Sequence, residues 1–365
     1  MEIGLNEDQR SFADVVERFM ADKSPPSEVR KLMATDTGFD PAVWQQLNSG
    51  LGISGVHIPE AYGGSGFGPV ELGIVTEAMG RYLYCGPFFA SSVMAGYGLL
   101  FGGTEAAKQR FLPGIAAGSS LATLVIDDLN TPEKVGDRIA FDGAVLSGRA
   151  PLVVDGQNAE WLFVIARSES GFGLYALQRE SAGLEITPVE SLDATRKLAS
   201  IGFQQAPAEQ IGELGSIALG NLWDHICVAL CHEMIGGAQR LFETTVDYTK
   251  VRYQFGRPIG AFQALKHRCA DLLMELEFAK AATHHGAQCL AVGNGDPCAA
   301  SMAKAMASDT YIEAARTAIQ LRGGIGFTWE EDTHLWFKRA KSSEVFMGSP
   351  HLHRERMMNS LEVAS

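Results

Sequence analysis

Four long runs of helical periodicity, 219–250, 262–293, 297–322 and 328–346, follow one another with only short breaks. Helices of that length bury their apolar faces most readily against one another, so this region predicts a four-helix bundle. Each break carries its own stop signal. Gly256 and Pro258 follow the first run, Gly293-Asn294-Gly295-Asp296-Pro297 separates the second from the third, and Gly323-Gly324 ends the third.

Upstream, Phe12, Val15, Val16, Phe19 and Met20 repeat at helical spacing, Pro25-Pro26 interrupts, and Val43, Trp44 and Leu47 resume the pattern. A glycine-rich loop, Pro59-Glu60-Ala61-Tyr62-Gly63-Gly64-Ser65-Gly66, precedes helical runs over 70–82, 91–101 and 104–117. From Ser120 the character changes. Short apolar or alternating runs at 121–126, 138–141, 144–146, 161–166, 174–177 and 201–203 are separated by Gly, Asp, Asn and Ser, which predicts strands. The expected class is α+β: an N-terminal helical domain at 1–119, a central β-barrel-like domain at 120–215 and a C-terminal helical bundle domain at 216–365. A chain of 365 residues, 46% of them hydrophobic, can fill cores for all three.

The net charge of −13 argues against nucleic acid as a partner and fits an enzyme that builds a local cationic patch for small anionic ligands. Six cysteines, Cys85, Cys227, Cys231, Cys269, Cys289 and Cys298, lie scattered without zinc-finger or redox spacing, so reduced thiols are expected. His232-Glu233 opens like a zinc-protease helix, but no second His follows at the needed spacing, and no metal site is expected. Neither a targeting leader, nor a membrane span, nor a peroxisomal C-terminus is read, and a cytoplasmic protein is expected.

Two of the helix breaks carry chemistry. In Arg252-Tyr253-Gln254-Phe255-Gly256-Arg257-Pro258-Ile259-Gly260-Ala261-Phe262-Gln263, two guanidinium forks suit phosphate, Phe255 and Phe262 can flank a planar ring, and Gln254 and Gln263 can bond its edges. A helix hairpin with surface arginines is the plainer reading of the same residues. In Gln320-Leu321-Arg322-Gly323-Gly324-Ile325-Gly326-Phe327, the glycines end a helix and let another backbone or a cofactor approach closely.

Together these segments resemble the two signature segments of the acyl-CoA dehydrogenase family, and the element order resembles that fold over essentially the whole chain. The loop from Pro59 to Gly66 is similar to that family's N-terminal Pro-Glu-x-x-Gly-Gly turn. The resemblance implies α,β-desaturation of an acyl-CoA thioester with FAD as cofactor. It also implies that Arg252, Gln254, Phe255, Phe262, Gln263, Gln320, Gly323 and Gly324 contact the FAD of a neighbouring subunit across an interface.

The same resemblance exposes departures. Family members place a Glu base in a Tyr-Glu-Gly-Thr run, where this chain has Phe346-Met347-Gly348-Ser349. A minority place it directly after the first segment's Arg, where Tyr253 stands. Methionine cannot abstract a proton, and a tyrosine would need a strongly lowered pKa. The positions of the flavin-contacting Trp and Thr hold Leu152 and Val154, and the run Val125-Ile126-Asp127-Asp128-Leu129-Asn130 replaces a Thr-Glu-Pro segment. The Asp-x-x-Arg pair that helps hold CoA reads Asp224-His225-Ile226-Cys227, which keeps the Asp for substrate binding and loses the Arg.

Runs at Ser191-Leu192-Asp193-Ala194-Thr195-Arg196 and Gly326-Phe327-Thr328-Trp329-Glu330 resemble a divergent actinobacterial subclass acting on sterol side chains and other bulky acyl-CoAs. Some of its members assemble from two different subunits. The resemblance therefore implies a dehydrogenase subunit without its own base, in a dimer of dimers with a Glu-bearing paralogue, with either an electron-transfer flavoprotein or oxygen as the acceptor. Two alternatives stand beside it. One is a homo-oligomeric enzyme with an atypical base, for which Asp155, Glu331 and Glu344 are candidates. The other is an inactive scaffold of the same fold.

Overall fold

The computed structural model describes residues 4–168, 171–293 and 296–364. Asn294 and Gly295, within the stop signal read between the second and third long runs, lie outside them. The described chain forms two compact units: one comprises residues of 1–29, 73–84 and 227–365, the other 30–72 and 85–226.

The first unit is helical. It contains α1 (Glu7–Lys23), most of α4 (Pro69–Arg81), the greater part of α7 (Ser216–Val251), and α8 (Gln263–Val292), α9 (Ala299–Arg322), α10 (Thr333–Val345) and α11 (Pro350–Ala364). Asn6 caps α1 through a capping box with Gln9, which satisfies two orphan backbone donors. α9 is the central helix, its face of Ala303, Ala307, Ala314, Ala315 and Ala318 buried so that neighbouring helices come close. The tightest approach is between α4 and α7. A Cβ built on Gly80 would stand 1.8 Å from the Glu233 carbonyl oxygen, and one on Gly236 1.9 Å from that of Glu77. Only glycine fits at either crossing point. A buried ion pair between Arg339 and Glu233, 2.9 Å apart, ties α10 to α7.

The second unit holds the second half of α2 (Pro26–Met33), α3 (Pro41–Leu51), α5 (Gly96–Gly102), α6 (Glu105–Ala116) and an eight-stranded sheet. The strands are β1 (Ala122–Val125), β2 (Ile139–Phe141), β3 (Val145–Val154), β4 (Trp161–Ser168), β5 (Gly171–Gln178), β6 (Leu184–Val189), β7 (Leu198–Pro207) and β8 (Glu209–Leu214). Their order is β6-β7-β3-β2-β4-β5-β8, with β1 parallel to β4. Five successive residues of β4, Leu162 to Ala166, are buried, because both faces are covered. One face packs into the core around Leu146, Val164, Tyr175 and Ile201, while Phe163 on the other meets Phe111 of α6 edge to face, 5.1 Å between centroids. β6, at one end of the order, buries little.

The helical reading of 91–101 is refined. Residues Phe89–Ala95 form a π-helix that passes directly into α5, and every residue of it is buried.

Candidate functional site

The Arg252 segment is a miniature hairpin at the end of α7. Strand β9 (Tyr253–Gln254) pairs antiparallel with β10 (Arg257–Pro258). Phe255 and Gly256, with φ of 52° and 76°, make the two-residue turn that the twist of such a hairpin favours. The base of the hairpin is closed by the Ile259 N–H donating to the Arg252 carbonyl at 2.8 Å. Phe255 is 91% exposed and Tyr253 61%, so the tip stands in solvent with an apolar residue in a left-handed conformation that costs about 1–3 kcal/mol. Arg257 lies over the Phe262 ring at 4.0 Å, and Phe255 meets that ring edge-on at 6.2 Å.

The Gln320 segment ends α9 and enters a 3-10 turn, Gly323–Phe327. Gly323 has φ of 65°, a conformation that favours glycine. Arg322, missed as a site residue from sequence, connects this segment to the first. Its buried guanidinium donates to Thr245 Oγ1 at 2.9 Å, packs over the Tyr248 ring at 5.4 Å, and pairs with Glu331 at 3.0 Å. Thr245 and Tyr248 lie on the last turns of α7 that lead into Arg252, so one side chain fixes both signature segments to a common support. Gln320, Gly323, Gly324, Arg252, Gln254 and Gln263 are all exposed, and Phe262 is half-buried.

The loop 346–348, where a base is expected, holds none. Met347 is fully buried with φ of 59°. Its carbonyl accepts a hydrogen bond from His353 Nε2 at 2.8 Å, which places the His353 proton on Nε2 and leaves Nδ1 to face Ser301 Oγ at 3.1 Å. Burial, reinforced by the nearby Lys304 and Arg356 charges, lowers the His353 pKa to about 4, so the ring is neutral. The Cys227 thiol also faces the Met347 carbonyl, at 3.7 Å.

Lys304, a second residue that sequence reading missed, pins the same loop. Its fully buried ammonium uses three donors: to the Gly348 carbonyl at 2.9 Å, the Glu344 carbonyl at 3.1 Å and Ser308 Oγ at 3.0 Å. Burial pushes its pKa below the ordinary lysine range. A lone lysine in an alanine-rich helix gives no sequence signal of such a role, since it reads as a solvated position.

Tyr253, at the alternative base position, is on the exposed hairpin. The three fallback carboxylates are engaged elsewhere. Glu331 accepts from Arg322 and from Thr333 Oγ1 at 2.7 Å, Glu344 pairs with Lys341, and buried Asp155 accepts from Asn158 Nδ2 at 3.0 Å within a tight turn.

In the sheet-bearing unit, Leu152 is 42% exposed, and Val154 is buried with its carbonyl accepting from Thr123 Oγ1 at 2.7 Å. Asp127 is structural: its buried carboxylate accepts the backbone N–H groups of Gly136 at 2.7 Å and Arg138 at 2.6 Å. Asp224 is half-buried in the first part of α7. Its neighbour His225 stacks near Tyr97, 4.9 Å between centroids.

Comparison with known proteins accords with this geometry. Residues 6–119 match the family described as Acyl-CoA dehydrogenase, N-terminal domain, and residues 221–362 match Acyl-CoA dehydrogenase, C-terminal domain. The chain is similar to Acyl-CoA dehydrogenase IpdE2 of Mycobacterium tuberculosis (strain H37Rv), with 33% identity over 344 residues that cover 94% of each protein. Among solved structures it is similar to the Tcur3481-Tcur3483 steroid ACAD, with a TM-score of 0.89 and 26% identity over 98% of this chain and 99% of that one. It also shares the fold of the ChsE4-ChsE5 complex from Mycobacterium tuberculosis, with a TM-score of 0.89 and 24% identity over 99% of both chains.

Proposed function

The chain belongs to the acyl-CoA dehydrogenase family, and we propose that it serves there as a subunit without its own catalytic base, completing the cofactor site of a Glu-bearing paralogue. It is an oxidoreductase of acyl-CoA whose cofactor is FAD. Bound FAD supplies the acceptor for the hydride that leaves the β carbon.

The donor set suits the pyrophosphate part of that cofactor. Arg252 offers a forked guanidinium and Gln320 an amide, both exposed. A Cβ built on Gly323 or Gly324 would meet no atom within 4 Å, so another chain's cofactor can lie directly against this backbone. Phe255 and Phe262 flank the approach, with Gln254 and Gln263 to bond polar edges. On this reading Asp224 keeps a contact to the CoA portion of a substrate, while the loss of an Arg at Cys227 removes its companion.

The observation that carries the proposal is Met347. At the family's base position its side chain is fully buried, on a backbone held by Lys304 at the Gly348 carbonyl and by His353 and Cys227 at the Met347 carbonyl, whereas both donated segments are open to solvent. Proton abstraction at the α carbon then falls to a Glu of the partner, in an assembly we take to be a dimer of dimers. The relative Tcur3481-Tcur3483 steroid ACAD, itself named as a pair, supports a two-component enzyme and a bulky, steroid-derived acyl group. Electrons would pass to an electron-transfer flavoprotein.

The test is purification of this chain alone and with the product of a neighbouring paralogous gene, measuring flavin content and acyl-CoA oxidation. The pair should be yellow and active, the lone chain flavin-poor and inactive. Turnover by the lone chain at ordinary enzyme rates, about 1–10³ s⁻¹, would sink the proposal.

A further inference from the structure

Five buried polar atoms of the second unit gather at the π-helix with no hydrogen-bond partner among the described residues: Ser54 Oγ, both ring nitrogens of His57, Ser92 Oγ and the Tyr97 hydroxyl. Ser92 lies on the π-helix itself and Tyr97 on α5 just beyond it. Ser54 and His57 lie in and just after a 3-10 turn, Ile53–Gly55, that packs against it. The rings of His57 and Tyr97 are 4.6 Å apart, Tyr97 and His225 are 4.9 Å apart, and His225 meets Phe101 at 4.7 Å. His225 Nδ1 donates to the Asn221 carbonyl at 2.7 Å, so in the neutral ring Nε2 is a bare acceptor. His225 and Phe101 are half-buried, so the row of rings opens towards the surface at their end. Burial, and then the neighbouring His225, lower the His57 pKa to about 3, while the Ser92 backbone, which stands nearby without hydrogen-bond geometry, acts the other way. Burial also lowers His225 and raises Tyr97, so all three side chains are neutral at pH 7.

Buried polar groups are ordinarily hydrogen-bonded, because an unpaired one costs its desolvation with nothing in return. Five such groups together, beside a π-helix of the kind that recurs at functional sites, depart far from that rule. The unused set holds both donors and acceptors. The Tyr97 O–H and one His57 N–H can donate, and His225 Nε2 and the other His57 nitrogen can accept. A hydroxyl, which does both at one oxygen, matches that set best. A ketone would leave His225 bare, and a hydrocarbon would leave every one of them bare. A carboxylate would be set near Asp224, whose charge already acts on His225.

We propose that His57, Tyr97 and His225 form a binding site for a hydroxyl group carried on an apolar ring, with Tyr97 donating to the hydroxyl oxygen, His225 Nε2 accepting from its O–H and Phe101 covering the carbon skeleton. A free alcohol and a hydroxylated acyl-CoA share that chemistry. The second is favoured because Asp224, assigned to the CoA portion of a substrate, adjoins His225 in the chain. That choice of source rests on the proposed function, and the site itself does not.

The test uses the full chain and two pairs of probes. Cyclohexanol is compared with cyclohexanone by ligand-detected NMR, and 4-hydroxycyclohexanecarbonyl-CoA with cyclohexanecarbonyl-CoA by calorimetry. The hydroxylated member of each pair should bind about tenfold more tightly. Tyr97→Phe removes one oxygen and keeps the ring, so its thermal midpoint should be no lower than wild type. His225→Phe keeps an aromatic ring against Phe101. Each variant should reduce the hydroxyl preference, and the two together should abolish it. A merely structural role would weaken both members of a pair alike. Preference within the thioester pair identifies an acyl-CoA as the source, and preference within the free pair alone identifies a free alcohol. Either supports the site. No binding at millimolar concentration, no preference in either pair, or a preference that survives in the double variant would overturn it. An active pair and inactive lone chain, with no hydroxyl preference, would defeat this inference alone. An active lone chain that keeps the preference would defeat only the proposed function.

Discussion

Lys304 Nζ donates to the carbonyl of Gly348 at 2.9 Å from a fully buried position on α9, and that contact anchors the loop at which the proposed function places the missing base. With His353 and Cys227 on the adjacent Met347 carbonyl, the loop has buried partners on two consecutive residues. An unsatisfied buried carbonyl costs about 1–3 kcal/mol, so these contacts hold the unusual backbone of Met347 in place. The loop backbone is therefore fixed by buried hydrogen bonds, although its central side chain has no proton chemistry.

His353 makes stability depend on pH. Its pKa of about 4 in the folded chain lies below the ordinary value of 6.5, so the unfolded chain binds the extra proton between those two pH values. Stability must therefore rise with pH across that window and fall on acidification, by up to about 3 kcal/mol from this group. Buried His57, lowered to about 3, acts in the same direction. Urea unfolding of wild type and His353→Asn between pH 7.5 and 4.5 isolates the first contribution. The variant should lose about 2 kcal/mol less on acidification, and parallel curves would refute the assignment.

Gly80→Ala should destabilise the helical unit by about 3 kcal/mol or more, because its Cβ would stand 1.8 Å from the Glu233 carbonyl and neither helix can yield without disturbing the Arg339–Glu233 pair. Thermal unfolding of the variant checks this. A midpoint within a degree of wild type would show that α4 and α7 are not held as described.

Much of this architecture was legible in the chain itself, and the exceptions have physical causes. Long helices such as α7 and α9 declare themselves by periodicity, and Gly323 marks the stop where the backbone does turn to positive φ. Strands β6 and β8 escaped because neither shows regular alternation: β6 carries Pro188 and buries little, and β8 is half polar. The reading of Gly256 and Pro258 as a turn foresaw the reversal but not the paired strands, which exchange too few residues to leave a period. Arg322 and Lys304 were invisible for a different reason. A cation on a helix is normally solvated, and only the packed structure shows Thr245, Glu331 or the Gly348 carbonyl waiting for it.

The hairpin tip should separate stability from assembly. Phe255 occupies a left-handed conformation while 91% exposed, so Phe255→Gly should leave the lone chain as stable as wild type or raise it by up to about 1 kcal/mol. The same change, or Arg252→Ala, should lower FAD retention when the chain is mixed with the proposed partner subunit. Arg252 is exposed, so its loss should shift lone-chain stability by less than about 0.5 kcal/mol. Flavin absorbance after gel filtration of the mixed complex reads the second effect, and undiminished retention in both variants would remove these residues from the interface.

Restoring a carboxylate should not restore an enzyme. Met347→Glu places an ionisable group at a site with no solvent exposure, where the ionised form is disfavoured unless paired. Lys304 is near in the fold, but its three donors are already committed to Ser308 and two carbonyls. The variant should be less stable than wild type at neutral pH and should regain part of that loss on mild acidification, as the buried carboxyl takes a proton. Its activity as a lone chain should stay at background, because on the proposed reading Leu152, Val154 and Cys227 stand at the flavin and CoA positions of this subunit. Removing a general base typically costs about two to four orders of magnitude in rate, so if the base alone were missing, the variant would gain by about that factor. The assay is the FAD-loaded variant against straight, branched and steroid-derived acyl-CoAs. A gain of that size would show that only the base had been lost, and that the pockets around it remain those of a complete dehydrogenase.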